Sequence, residues 1–237
     1  MYAFNALLLL SSCALSVWGY SDAFRHLARR DDDLPARVPY VFPEPGTDAL
    51  ADSIRAHRPN NTLLDLDGVL LNSEPLAAAW DQTAVVIRQK NPLPGDMREL
   101  LYRAIHTDIL QILRTAVVNS AAYQWIQHES PGREAGLTTA QLRTIRFTPT
   151  FSSLAKTKPT NATLTPALAA ALDFADWTAS SVYVPDDVYD GLKTAANLTD
   201  VQMIYASATA GFYAFVSRFT VGLDMDSKMR VAVPIPE

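Results

Sequence analysis

The residues with the clearest chemical potential lie on one short segment, around Gln124 and His128. Their spacing of four residues places both side chains on the same face of a helix. An imidazole titrates near neutrality and can act as a general acid or base, whereas an amide can only donate and accept hydrogen bonds. Tyr123 and Trp125 flank this face and are expected to line an aromatic, substrate-binding pocket. The alternative is a hydrogen-bonded core histidine without chemistry, which spacing alone favours.

Two further charged residues are candidates for the same site. Asp108 lies one helical turn from Ile105 and Ile112, where apolar surroundings would raise the pKa of its carboxyl and let it supply a catalytic acid. A solvated position at the edge of the apolar face is the alternative. Arg218 can bind a substrate carboxylate or oxyanion, and a structural ion pair is its alternative. The four histidines form no His-x-x-x-His pair and no His/Asp cluster, so no metal site is predicted.

The elements that would position these residues are predicted to be helices. Apolar residues recur at helical spacing after Pro75, along residues 96–118 and again after Asn119. Two segments have the form of capping boxes, Thr138-x-x-Gln141 and Thr199-x-x-Gln202. The last helix is expected to carry one apolar stripe, consisting of Ile204, Ala208, Gly211, Phe215 and Phe219. No alternating or β-branched run indicates a sheet, and the sequence therefore predicts an all-α fold.

The segment LLDLDGVLLNSEP, residues 63–75, resembles the first motif of the haloacid dehalogenase phosphatases. In that family the first Asp attacks phosphorus and the second moves a proton, with Mg²⁺ bound between them. The motif requires several apolar strand residues directly before the first Asp, within a doubly wound sheet. Here the polar stretch RAHRPNN leaves only three residues before Asp65. We therefore expect no phosphatase site.

The N-terminal residues predict a secreted protein. An apolar run from Ala6 to Leu15 is followed by small residues, with Val17 and Gly19 at the −3 and −1 positions of a cleavage site. The run is shorter than the ~20 apolar residues of a membrane span. Residues 1–19 are therefore predicted to be a signal peptide, and no membrane contact is expected after its removal.

Residues 20–62 are predicted to be an extended N-terminal arm, and residues 63–237 a single helical domain. The arm contains Arg29-Arg30, a candidate processing site that would end a propeptide at Arg30; an exposed charged linker is the alternative. Secretion agrees with three glycosylation sequons, which begin at Asn60, Asn161 and Asn197.

Composition narrows the function classes further. The chain has 237 residues, 49% of them apolar, and a net charge of −5. It is long enough for one sizeable core, and it has no basic face for nucleic acid. Its single cysteine, Cys13, lies in the predicted signal peptide. The processed chain is therefore expected to have no disulfide, thiolate nucleophile or cysteine-ligated metal.

Three segments in order carry a further similarity: LDGVLLNSEPLAAAWDQTAVVIRQKNPLP, ILRTAVVNSAAYQWIQHESPGREAGLTTAQL and LTDVQMIYASATAGFYAFVSRFTVGLDMD. They resemble the carboxymuconolactone decarboxylase and AhpD-like family, in particular its fungal members, over roughly residues 63–230. The second segment resembles the family's Ala-Tyr-Glu-Trp-x-x-His pattern. The resemblance implies an AhpD-like helical bundle that forms homo-oligomers.

The resemblance also implies site residues. Anchored on His128, the two redox cysteines of the AhpD peroxidases fall at Ala121 and Gln124, so peroxidase chemistry is excluded. In relatives that lack both cysteines the second position is often Glu, where this chain has Gln. The match to the family's histidine favours a catalytic His128, assisted by Gln124 and Asp108. The family's last helix suggests Tyr213 and Arg218 as substrate-binding residues.

The expected function is a cofactor-free, non-redox lyase, isomerase or cyclase. Its substrate would be a small organic acid, a lactone or a polyketide-like molecule, and the resemblance places the reaction in fungal secondary metabolism. The alternative is a non-catalytic secreted binding or structural protein on the same scaffold. No cofactor is expected in either case.

Overall fold

The computed structural model describes residues 34–89, 109–151 and 163–237. These ranges contain nine helices and no strand, and the all-α prediction is confirmed. In chain order the helices are α1 (Ala49–Ala56), α2 (Asp65–Leu70), α3 (Glu74–Gln89), α4 (109–118, as far as it is described), α5 (Ala122–Glu134), α6 (Thr139–Phe147), α7 (Pro166–Ser180), α8 (Asp186–Ala195) and α9 (Asp200–Gly222). Two single turns of 3₁₀ helix, Pro59–Asn61 and Met225–Ser227, lie before α2 and after α9.

The core is built around α4. Every side chain from residue 110 to residue 116 is buried, so this helix is surrounded by its neighbours. The largest hydrophobic cluster joins Leu110 and Leu113 of α4 to Trp125 of α5, Leu172 of α7 and Met203 of α9. Burial of large apolar side chains stabilises each by about 1.5–3 kcal/mol, so this cluster fixes the positions of α5 and α9, which carry most of the predicted site.

Helix starts follow the predicted capping chemistry. Thr138 and Gln141 exchange hydrogen bonds at the start of α6, with the Thr138 amide donating to Gln141 Oε1 at 2.9 Å. Thr199 and Gln202 form the same pair at the start of α9, where the amide-to-Oε1 distance is 2.7 Å. Each pair satisfies two backbone N–H groups that have no partner within the helix.

The interpretation of residues 20–62 as an extended arm is wrong for its second half. Helix α1 lies there, and its Ala51 and Ile54 are buried in a cluster with Trp80 and Tyr213. Asp48 caps this helix by accepting the Ala51 amide at 2.8 Å. Prolines dominate the local pattern, but the packed helix places the start of the folded domain well before residue 63.

Most of the apolar stripe on α9 is exposed to solvent. Ile204 is 66% exposed and Phe215 is 47% exposed, and Ala208 and Gly211 are exposed as well. The buried side of α9 instead consists of small and medium residues: Met203, Ala206, Thr209, Ala210, Tyr213, Ala214, Val216, Ser217 and Thr220. Small side chains let α9 lie close to α7 and α5, while the larger Ile204 and Phe215 remain exposed.

The phosphatase-like segment is a helix start, as the sequence argument requires. Asp65 begins α2, and the Asp67 side chain accepts the Leu64 amide at 2.9 Å. Sequon residues Asn60 and Asn197 are exposed, and Asn161 lies outside the described residues. In the described ranges, no helix combines the length and apolarity that crossing a bilayer requires.

Candidate functional site

A cavity of about 60 Å³ brings four of the predicted site residues together. Tyr123, Gln124 and His128 of α5 and Tyr213 of α9 line it. Helix α3 contributes Trp80, Ala84 and Arg88, which are spaced by four residues and share one face. Arg58, Leu64 and Leu66 close it from the N-terminal side. The volume suits a ligand of roughly four to six non-hydrogen atoms.

Trp125 does not belong to this cavity, contrary to prediction. Its side chain is fully buried on another side of α5, in the core cluster with Leu110 and Leu113. The indole Nε1 donates to Glu129 Oε2 at 2.7 Å. Successive residues of a helix are about 100° apart. The face that carries Gln124 and His128 therefore turns Trp125 away.

His128 lies against the Tyr213 ring, with ring centroids 5.1 Å apart and planes at 90°. Burial and, to a smaller extent, the positive charge of Arg88 lower the pKa of His128 from 6.5 to about 3. These surroundings favour the neutral imidazole over the titration near neutrality that the residue type alone predicts. In the described structure no carboxylate is hydrogen-bonded to it. A neutral imidazole offers one N–H donor and one acceptor nitrogen.

Gln124 is 1% exposed, and only one end of its amide is satisfied. Its Nε2 donates to the Ile112 carbonyl of α4 at 2.9 Å, and this contact assigns the amide orientation, because the amide oxygen has no hydrogen to donate to that carbonyl. Its Oε1 has no hydrogen-bond partner within the described residues. A buried acceptor without a partner costs about 1–3 kcal/mol, so the Gln124 oxygen is a destabilising, unsatisfied acceptor.

Tyr123 closes the cavity beside Gln124. Its hydroxyl oxygen accepts the Leu66 amide at 3.2 Å. Burial raises the pKa of Tyr123 above its usual range, and the nearby carboxylates act in the same direction. The phenol therefore stays protonated at physiological pH and presents a neutral polar group to the cavity.

Arg58 lines the cavity and was missed in the sequence. Its Nε and Nη2 donate to both oxygens of Asp67 at 2.9 and 2.7 Å, and its Nη1 lies 3.3 Å from Asp81 Oδ1. His57 Nδ1 is 2.9 Å from the other oxygen of Asp81. Arg58 is thus neutralised by two buried carboxylates. No sequence pattern links residue 58 to residue 128. The two residues line the same cavity only in the folded chain.

Arg88, the other missed residue, contributes a positive charge to the cavity lining. It lies in the last turn of α3 and is exposed, and it forms no ion pair with any residue in the described ranges. A guanidinium binds carboxylates and other oxyanions through paired N–H donors. The end of the cavity at Arg88 is therefore suited to an anionic group.

Arg218 lies away from this cavity, and the expectation that it joins His128 is wrong. It borders a separate, open groove together with Ser181, Ser207 and Gly211. Its Nη1 and Nη2 donate to the carbonyls of Ala214 and Ala179 at 2.9 and 3.2 Å. The bond to Ala179 connects α9 to the end of α7, which is a structural role. Asp108 lies outside the described residues.

The described part of the chain contains no group of three or more His, Cys, Asp or Glu side chains that could hold a metal ion. Comparison of the chain with family models, with curated proteins and with solved structures finds no match. The proposed chemistry therefore rests on the residues that line the cavity.

Proposed function

We propose that the cavity around His128 binds a small organic acid and that the protein converts it as a cofactor-free, non-redox lyase, isomerase or cyclase of the carboxymuconolactone decarboxylase type, on an AhpD-like bundle. The observation that carries this proposal is the pairing of Arg88 with an uncharged His128 in one small cavity. The Arg88 guanidinium attracts the anion, and the uncharged His128 imidazole offers an N–H donor in the same cavity.

This pairing favours reactions in which negative charge develops on oxygen. A neutral imidazole N–H stabilises an enolate-like oxyanion, and preorganised donors in a site shielded from water contribute most of such stabilisation. With a pKa of about 3, His128 is a weak base. The proposed role of His128 therefore changes from proton acceptor to hydrogen-bond donor.

Decarboxylation fits these side chains best among the three reaction types. The electrons of the breaking C–C bond move into an adjacent carbonyl, CO₂ leaves, and the resulting enolate oxygen is held by His128 and Arg88. The carbon then takes a proton from solvent. No strong base is required, which suits an imidazole whose pKa is lowered to about 3.

A second candidate is a non-catalytic, secreted binding protein on the same scaffold. The observation that favours it is that, among the residues that the structure describes, no carboxylate is hydrogen-bonded to His128, since catalytic histidines are commonly held by one. Under this alternative the same cavity binds the anion and releases it unchanged.

The test is metabolite profiling of the native host with the gene intact and with His128→Ala in its place. We expect one acid to accumulate and its product to disappear, and the mass difference identifies loss of CO₂, loss of water or an isomerisation. Ile126→Ala, an exposed position on the same helix, is the matched control and should leave the profile unchanged. An unchanged profile in a folded His128→Ala protein would reject the enzyme and favour the binding protein.

A further inference from the structure

The outward side of α9 follows a heptad spacing along most of the helix. Six of its exposed residues recur at alternating intervals of three and four. They are Val201, Ile204, Ala208, Gly211, Phe215 and Arg218, hereafter the outer face of α9. An average interval of 3.5 residues keeps a row of side chains on one side of a helix, and it is the spacing with which one helix packs along another. The outer face therefore has the spacing that a second helix requires.

The outer face is largely apolar and open to solvent. Ile204 is 66% exposed, Val201 is 51% exposed and Phe215 is 47% exposed. Next to these residues, α9 and the end of α7 form an open groove of about 590 Å³, edged by the fully exposed Val182. Contiguous apolar surface of this kind marks contact sites between proteins. Covering it is favourable, at about 25 cal/mol for each Å² removed from water.

Small residues in the middle of the outer face allow a close approach. Ala208 and Gly211 lie there, with Ser207 beside them. A Cβ added to Gly211 would meet nothing within 4 Å, so packing within the chain does not require a glycine at this position. A glycine inside a helix costs about 0.5–1 kcal/mol relative to alanine. Contact with the backbone of another helix gives this glycine a role that the single chain does not.

The charges at the two ends of the outer face favour an antiparallel copy of the same helix. Residues 201–217 contain no charged side chain, and this stretch lies between Asp200 and Arg218. Parallel helices would bring like charges together at both ends, whereas antiparallel helices bring each arginine near the other copy's aspartate. The Asp200 side chain is 84% exposed. Lys193 donates to one of its oxygens, and a carboxylate accepts hydrogen bonds at both.

We infer that α9 of one copy of this chain packs antiparallel on α9 of a second copy, about a two-fold axis near the middle of the helix. In this register Ile204 lies level with Phe215 of the second copy, and Ala208 lies level with Gly211 of the second copy. The large side chains then pair away from the axis, and the small ones meet beside it. A two-fold interface uses the same surface on both copies, so it requires a self-complementary face. None of these residues lines the cavity around His128.

The size of the outer face sets the expected strength of the pair. A helix of 23 residues is about 34 Å long and roughly 10 Å wide, so the face offers on the order of 400 Å² per copy. A standard interface buries roughly 800 Å² from each partner. We therefore expect a weak dimer that forms reversibly, with a Kd on the order of 10 μM.

The test is sedimentation velocity of the intact chain over a concentration series from about 1 μM to about 1 mM, which spans the expected Kd. We expect one reversible equilibrium between monomer and dimer. A chain that stays monomeric throughout the series would overturn the inference. Larger species that form without a dimer would overturn it as well.

Two glycine variants assign the dimer to the outer face. Gly211→Glu has open space within its own chain and places like charges close together across the two-fold axis. We expect its Kd to rise by about 10-fold or more. Gly191→Glu is the matched control, because this glycine lies in α8 and its added Cβ also meets nothing within 4 Å. An equal Kd for the two variants would contradict the proposed interface.

A charge exchange tests the antiparallel direction. Asp200→Lys and Arg218→Glu should each weaken the dimer about 2- to 5-fold, because each brings like charges together across the pair. The double variant should recover most of this loss, whereas losses that add in the double variant would overturn the antiparallel pairing. Chemical denaturation at low concentration, where the chain is monomeric, separates loss of pairing from loss of folding.

Discussion

Replacing Arg58 by Met should destabilise the fold strongly, because this side chain neutralises two buried carboxylates at once. Asp67 is 1% exposed and Asp81 is 6% exposed. Two N–H groups of Arg58 donate to Asp67 at 2.9 and 2.7 Å, and its Nη1 forms an ion pair with Asp81 Oδ1 at 3.3 Å. Methionine retains most of the buried volume and removes the charge, so the change isolates the electrostatic contribution.

The expected cost is about 3 kcal/mol in the free energy of unfolding. Removal of one partner from a buried ion pair costs about 3–5 kcal/mol, because the other charge stays buried without compensation. Here each carboxylate keeps a second contact. Asp67 still accepts the Leu64 amide, and Asp81 remains beside His57 Nδ1, both at 2.9 Å. These contacts place the loss at the lower end of the range.

The assay is chemical denaturation followed by circular dichroism, with the free energy extrapolated linearly to zero denaturant. Lys228→Met is the matched control, since Lys228 pairs with Asp226 at 3.2 Å and the two side chains are 32% and 47% exposed. That surface pair should contribute less than about 1 kcal/mol. A loss at Arg58 as small as the loss at Lys228 would refute the view that the buried carboxylates depend on this arginine.

Three further predictions concern stability. His128 binds a proton at its ordinary pKa of 6.5 when unfolded but only near 3 when folded; the unfolded chain therefore takes up more protons, and stability falls as pH drops below 6.5. The loss is about 1.4 kcal/mol per pH unit, and denaturation of His128→Leu at several pH values should show a flatter dependence. Gly191→Ala, in α8 with open space around the new Cβ, should raise the unfolding free energy by about 0.5–1 kcal/mol. Gly68→Ala should bring no such gain, because its Cβ would lie 2.6 Å from the Phe42 ring, and a comparison of melting temperatures checks the difference. Thr199→Ala removes the acceptor of the α9 cap and should cost about 1 kcal/mol, measured by the same denaturation; an unchanged value would mean that the cap is replaced by water.

Apolar spacing and capping pairs predicted most helices, because helix formation depends on interactions between residues close together in the sequence. The threonine–glutamine pairs at the starts of α6 and α9 satisfy backbone groups within three residues, and the structure contains both pairs. Helix α1 was missed because the prolines around it dominate the pattern. Its burial depends on contacts with Trp80 and Tyr213, which lie far away in the sequence.

The inward face of α9 could not be chosen from periodicity. Residues 201–217 contain no charged side chain, so both faces are compatible with burial. The face with Ile204 and Phe215 is the bulkier of the two. The fold buries the face with Ala206, Ala210 and Ala214, because small side chains allow close packing against neighbouring helices.

The candidate site was predicted in part. Helical spacing correctly placed Gln124 and His128 on one face, and Tyr123 lies beside them. Arg58 and Arg88 come from segments that meet α5 only in the folded chain. The pKa of His128 depends on this same long-range environment, and its chemical role could not be read from residue type alone.

The most direct test of the proposed organic-acid site is an NMR titration of the His128 imidazole, with and without a small carboxylate such as lactate. We expect this ring to stay neutral far below its ordinary pKa of 6.5. We also expect lactate to shift the signals of His128 and Tyr213 together. A ring that titrates near 6.5 and does not respond to lactate would contradict the claim that an uncharged histidine beside Arg88 forms an organic-acid site.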